Sequence, residues 1–156
     1  MEREWKSGDT VEVHFPMRVV NSTWYNNSIA VERGPLVFSL KMGESWSELR
    51  QSGPVIDWEV YPTTPWNYAL VIDPKDAASP FTVTELPVGH QPFSLDGAPV
   101  VINAKARRLP EWQIEDDSAG PLPVSPVTSK RHVETIALIP YGAAKLRITA
   151  FPFTQN

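Results

Sequence analysis

Several short runs of this chain alternate apolar and polar residues with period two. After the turn signal Gly8-Asp9, Val11, Val13 and Phe15 alternate with Thr10, Glu12 and His14, the pattern of a half-buried strand. The stretch IAVERGPLVFSL (29–40) places two apolar runs on either side of Glu32-Arg33-Gly34-Pro35. Gly permits a bend there, and Pro fits a bulge or an edge, so a strand corner is expected at the break. Further strands are expected in IDWEVYP (56–62), in TTPWNYALVID (63–73) after its turn, in PFTVTEL (80–86) and around Val100-Val101-Ile102. Residues 132–153 predict a hairpin, with its turn near Tyr141-Gly142 and with Leu146 and Ile148 on one face of the returning strand. The segment 42–53 differs. Ser45 and Glu48 have capping-box spacing and Gly53 sits where a helix would stop, so one short helix or helical loop is expected.

Roughly eight to ten short strands separated by Gly and Pro turns predict an all-β fold, a β-sandwich or jelly-roll-like domain with at most one or two short helical turns. The whole chain, 1–156, is expected to form one such domain, with a loop-rich break near 110–127. Proline strengthens this reading. Sixteen prolines in 156 residues is about twice the usual ~5%. They are spread through apolar segments, where each removes a backbone donor and opposes a helix interior.

Charge and composition narrow the chemistry. The net charge is −4, and basic residues cluster only in pairs such as Arg107-Arg108 and Lys130-Arg131. Neither feature suits nucleic acid, whose binding rests on neutralising phosphates. With no cysteine, disulfides, thiol nucleophiles and Cys-ligated zinc are excluded. No stretch approaches the ~20 apolar residues of a membrane-spanning helix. His14, His90 and His132 lack metal-ligand spacing, and no cofactor motif is present. Among the carboxylates, Asp57 and Glu59 would share a strand face. Asp73 and Asp76 are a further pair, and the run Glu115-Asp116-Asp117 reads most simply as a charged loop, or at best a weak calcium loop. A pair on one face could serve glycoside hydrolysis, which needs two carboxyls ~5–9.5 Å apart, but such pairs are also ordinary solvated surface. No G-x-S-x-G elbow or phosphate loop occurs.

Aromatic residues offer more. TPWNYAL (64–70) brings Trp66, Asn67 and Tyr68 together after a proline turn, and LPEW (109–112) adds Trp112. Rings stack on the apolar faces of sugars while a neighbouring polar group completes the contact. Core or interdomain packing is the competing role for each ring, because Trp is highly buried on average.

Several of these stretches, taken in order, resemble one family. EWKSGDTVEVHFPMRVV followed by IAVERGPLVFSL is similar to the segment just after the catalytic barrel of β-L-arabinofuranosidase-type glycoside hydrolases. Trp5, Gly8-Asp9, Pro16-Met17 and Arg33-Gly34-Pro35-Leu36-Val37 match its pattern, with Phe38 where Tyr is usual. TPWNYAL, LPEW, PVSPV (123–127) and LIPYGAAKLRITAFP (138–152) are similar too, so the resemblance covers nearly the whole chain. It implies a parent enzyme whose catalysis takes place in an (α/α)6 barrel with a zinc-associated cysteine and acidic partners. None of those catalytic residues can be placed on this chain.

The resemblance therefore implies a non-catalytic β-sandwich region, without cofactor or metal, that braces the parent's (α/α)6 barrel or mediates domain or subunit contacts. The alternative is a carbohydrate-binding module for arabinose-containing plant glycans, with Trp66, Asn67, Tyr68 and Trp112 as its surface. A stand-alone enzyme using Asp57 and Glu59 or the 115–117 acids is a third reading. The composition leaves the compartment open, whereas the resemblance implies a periplasmic or secreted parent. A domain that normally packs on a barrel would expose apolar surface when alone, so self-association into a homo-oligomer is also expected.

Overall fold

The computed structural model describes residues 4–73 and 81–155. Asp76 lies outside them. The fold is all-β, as the alternation implies, and its main sheet is a single curled one.

A first hairpin joins β1 (Val19–Trp24) to β2 (Ser28–Arg33), and a second joins β2 to β3 (Leu36–Leu40). The expected corner in ERGPLV is thus a tight two-residue turn, with Arg33 opposite Leu36 across Gly34-Pro35. Gly34 has φ +57°, the left-handed region where glycine is unpenalised. Proline then supplies the fixed negative φ of the second turn position, a combination that suits a type II′ hairpin. Arg33 is held across the sheet by Glu85.

The segment 44–52 corrects the sequence expectation. It is not helical but a strand, β4 (Glu44–Ser52), paired along its length with β5 (Val55–Pro62), with one bulge between Glu48 and Arg50. Gly53, φ +60°, and Pro54 form the turn. The supposed helix stop is a hairpin turn with the same Gly-Pro chemistry as residues 34 and 35. Continuous cross-strand pairing with 55–62 outweighs a capping signal that could stabilise at most one isolated turn of helix.

The remaining strands are β6 (Tyr68–Val71), β7 (Phe81–Glu85), β8 (Val100–Arg108), β9 (Ile114–Glu115), β10 (Ser118–Ala119), β11 (Val133–Pro140) and β12 (Phe153–Thr154). The main sheet runs β1-β2-β3-β11-β8-β6-β12, with β7 also paired to β8. Its concave face carries Val31, Phe38, Leu40, Leu70, Ile102, Ala104, Leu138 and Phe151 into the main core. The only helical elements among the described residues are two single 3-10 turns, Tyr25–Asn27 and Tyr141–Ala143.

The expected hairpin over 132–153 does not form. Past the Tyr141–Ala143 turn the chain leaves β11 and threads between other strands. Ile148 O accepts from Leu40 N at 2.9 Å, and Phe151 exchanges both backbone bonds with Ile29 at 2.8 and 2.9 Å. Phe153 and Thr154 then pair in parallel with Leu70 and Val71. The C-terminal segment thus joins β2 and β3 to β6, and the curled sheet closes around the core.

The expected strand over 11–15 is also absent. Among the described residues no neighbouring strand pairs with it, and Val11, Val13 and Phe15 lie in the open, Phe15 at 79% exposure. Alternation supplies a face but not a partner, and an unpaired strand has no ladder to hold it.

Replacing Phe151, which is fully buried, tests the closure. Phe151→Ala should lower unfolding free energy by about 3–5 kcal/mol, whereas Phe15→Ala should stay within about 0.5 kcal/mol. Urea unfolding followed by circular dichroism measures both.

Candidate functional site

Three of the four aromatic-site candidates, Trp66, Asn67 and Trp112, come together in a largely buried knot. Trp66 and Trp112 meet edge to face, with ring centroids 5.0 Å apart. Asn67 Nδ2 donates to the carbonyls of Leu109 and Trp112, each at 2.9 Å. Arg108 Nε donates to Asn67 Oδ1 at 3.2 Å, and Trp112 Nε1 donates to Gly120 O at 2.9 Å. The motif stretches around 67, 109–112 and 120 are therefore stitched to one another through buried polar atoms. Each donor is satisfied, as burial requires.

As a surface platform the set reduces to one ring. Asn67, Tyr68 and Trp112 are buried, and Trp66 alone is half-buried. Asn67 and Tyr68 are neighbours on a strand start and face opposite ways, so a single turn could not present all three side chains to one ligand. Tyr68 packs in the main core, with its hydroxyl donating to Glu134 Oε2 at 3.1 Å and Arg108 lying 5.5 Å from its ring centre.

Trp66 forms one wall of a cleft of about 310 Å³. The end of β5 (Val60, Tyr61 and Pro62), Met42, the β9–β10 turn and residues 146–148 form the rest. The turn carries Asp116 and Asp117, both at positive φ, +48° and +57°. Two consecutive left-handed residues are what a type I′ hairpin demands, and Asp tolerates that region. The acidic run 115–117 is thus a tight turn, with Glu115 opposite Ser118, and Asp117 lines the cleft.

Arg147 lines the opposite side. Its guanidinium sits 4.3 Å from the Tyr141 ring centre, and its Nε donates to Ala144 O at 3.0 Å. Tyr61 donates to Glu59 Oε2 at 3.1 Å. That bond and the Glu59 charge, with a contribution from Asp117, raise the phenol above its ordinary value. The cleft therefore pairs an aromatic and aliphatic floor with one carboxylate, one guanidinium, a serine and a phenol. That composition suits a small ligand with an apolar face and polar edges. Tyr61, Asp117 and Arg147 were not visible as a set in the sequence. They stand 30 and more positions apart, and only the threading of the C-terminal segment brings them together.

The other candidates are engaged singly. Asp57 accepts from Arg50 Nε and Nη2 at 3.0 and 2.8 Å. His14 lies 2.9 Å from Glu12 and His132 3.4 Å from Glu134. Among the described residues no three acidic or histidine side chains gather as metal ligands would.

Tyr68 gives a pH prediction. Burial first, then the Glu134 hydrogen bond and charge, raise its pKa, against a smaller opposing effect of Arg108. The neutral phenol is the form favoured by folding. Its stabilising contribution is complete below about pH 10 and is lost as pH rises from there through the higher folded value. In an absorbance titration at alkaline pH, Tyr68→Phe should remove one late-ionising tyrosine from the curve and leave the late contribution of Tyr61 in place.

The chain was compared with protein-family models, with curated proteins and with solved structures, and none matches it.

Proposed function

We propose that this chain is a non-catalytic β-sandwich domain of a glycoside hydrolase, bracing a catalytic (α/α)6 barrel or mediating domain and subunit contacts. The ordered motifs shared with the β-L-arabinofuranosidase-type enzymes supply the family. The observation that carries the role is the placement of exposed apolar side chains. Val11, Val13, Phe15 and Met17 lie exposed on one N-terminal segment, and Trp46, Leu49, Val55 and Trp58 project from the β4–β5 hairpin. Scattered exposed apolar residues are normal, but concentrations on two elements mark surfaces that another body covers.

A second reading, a module binding arabinose-containing glycans, is favoured by the cleft. Trp66 and Tyr61 give it aromatic walls, and Asp117, Ser118 and Arg147 give it polar groups to meet hydroxyls. Calorimetric titration with arabinan oligosaccharides separates the two readings. Saturable heat that disappears in Trp66→Ala supports the module, and a flat response from folded protein removes it.

Two outcomes are expected of the accessory domain. Purified chain should not turn over aryl arabinofuranosides, and clear turnover would sink the reading. It should also self-associate with rising concentration in sedimentation velocity, through the apolar N-terminal segment. The double variant Val13→Ser, Phe15→Ser should shift the population to monomer without changing the far-ultraviolet spectrum. A chain that stays monomeric at high concentration would contradict the assignment of that segment as a covered surface.

A further inference from the structure

The β4–β5 hairpin stands apart from the main sheet, and its two strands pair only with each other. Cross-strand partners share a face, so the register sorts its side chains. Glu44 lies opposite Pro62, Trp46 opposite Val60, and Glu48 opposite Trp58. These six residues form one face. Arg50 and Asp57 pair on the other, because successive β5 residues point to opposite sides.

The first face has an unusual balance. Trp46 and Trp58 are 48% and 50% exposed, with ring centroids 6.3 Å apart and planes at 73°. Trp46 Nε1 donates to Glu44 Oε2 at 3.2 Å, which fixes that ring, and the backbone N of Lys145 donates to Glu44 Oε1 at 3.2 Å. Glu48 lies beside Trp58 on the solvent side. The hairpin holds four carboxylates against one guanidinium, and that guanidinium, Arg50, is turned away and held by Asp57. Two open indole faces flanked by two carboxylates are therefore left without a cation of their own hairpin.

We propose that this face is a docking surface for a protein segment bearing arginine or lysine, whose cationic groups lie against the Trp46 and Trp58 rings and pair with Glu44 and Glu48. The inference rests on the accessory-domain reading and names the surface and the charge of what docks there. Indole is the best aromatic partner for a cation, and arginine adds planar stacking and a bidentate match to carboxylate. Trp and Arg also dominate the energetic centres of protein interfaces. A second copy presenting the same face is disfavoured, since it would set Glu44 and Glu48 against their own equivalents.

The test uses the whole chain and a fluorescein-labelled hepta-arginine peptide, read by anisotropy, with hepta-glutamate as the counter-probe. Hepta-arginine should bind, hepta-glutamate should not, and affinity should fall as salt is raised. Trp58→Ala, and separately the pair Glu44→Gln and Glu48→Gln, should each weaken binding at least about fivefold. Gln at 44 keeps only one of the two acceptors that Trp46 Nε1 and Lys145 N use, so Glu48→Gln alone is read beside the pair and should itself weaken binding, with circular dichroism verifying that each variant is folded. The pair Glu12→Gln and Glu111→Gln removes the same charge from exposed sites elsewhere and should leave affinity unchanged. Equal weakening by both Gln pairs, or no effect of Trp58→Ala, would reduce the binding to general acidity and overturn the proposal. Loss of self-association in Trp58→Ala would also overturn it, by giving the face to another copy of the chain. Turnover of a glycoside would remove the accessory reading without touching this titration, so the two failures are distinguishable.

Discussion

Residues 148–154 form backbone hydrogen bonds on both sides, and the rest of the fold depends on that double pairing. Phe151 exchanges two bonds with Ile29, while Pro152 O and Thr154 O accept from Leu70 N and Ile72 N. Successive residues of an extended chain direct their polar groups to alternate sides. Phe151 therefore serves β2 while Pro152 and Thr154 serve the β6 side. A proline is tolerated at 152 because only its carbonyl is required there. Without this insertion, β6 and the β1–β3 wing would each present a row of unpaired backbone groups over an apolar core. The same threading places Leu146, Arg147 and Ile148 against the end of β5 and so makes one side of the cleft.

Local turn chemistry and tertiary pairing decided how much of this was legible in the sequence. The strands of 55–62, 68–71, 81–85, 100–108 and 133–140 follow from β-branched runs and alternation, and the all-β class with them. Two elements misled in opposite ways. Residues 44–52 carry a capping-box spacing, yet Gly53-Pro54 repeats the turn of Gly34-Pro35, and that repeated dipeptide was the signal for a second hairpin. Residues 11–15 carry good alternation and form no strand, because alternation reports a face to be covered and not the presence of a neighbour to pair with. The return of the chain after residue 143 was not legible at all. Parallel pairing between residues 153 and 70 spans more than 80 positions, and no local pattern encodes a contact of that range.

The aromatic candidates show the same division. Of the adjacent residues in TPWNYAL, Trp66 and Asn67 join Trp112 in one polar and aromatic knot, while Tyr68 turns the other way into the main core. Which rings face solvent depends on strand direction and on the loop 110–127 that wraps Trp112, with Leu122 O and Ser125 O taking the amides of Asn26 and Asn27. Those are contacts across nearly 100 positions. A short motif can indicate clustering more readily than exposure, because burial is a property of everything else that folds around it.

This division also explains why the two exposed apolar elements are informative. The main core is built from other side chains, and neither Trp46 nor Trp58 contributes to it, so the fold gains little internally from leaving both half in water. The flanking Glu44 and Glu48 raise the solubility of that surface and bias what can cover it, since an apolar partner would have to strip water from two carboxylates without compensation. A cationic partner compensates both charges and uses the indole faces at once. On the N-terminal segment the residues between Val11, Val13 and Phe15 are Glu12 and His14, a pair 2.9 Å apart that already balances itself when the imidazole is protonated. The two surfaces therefore ask for different neighbours: the segment asks for apolar cover, and the hairpin for apolar cover bearing positive charge.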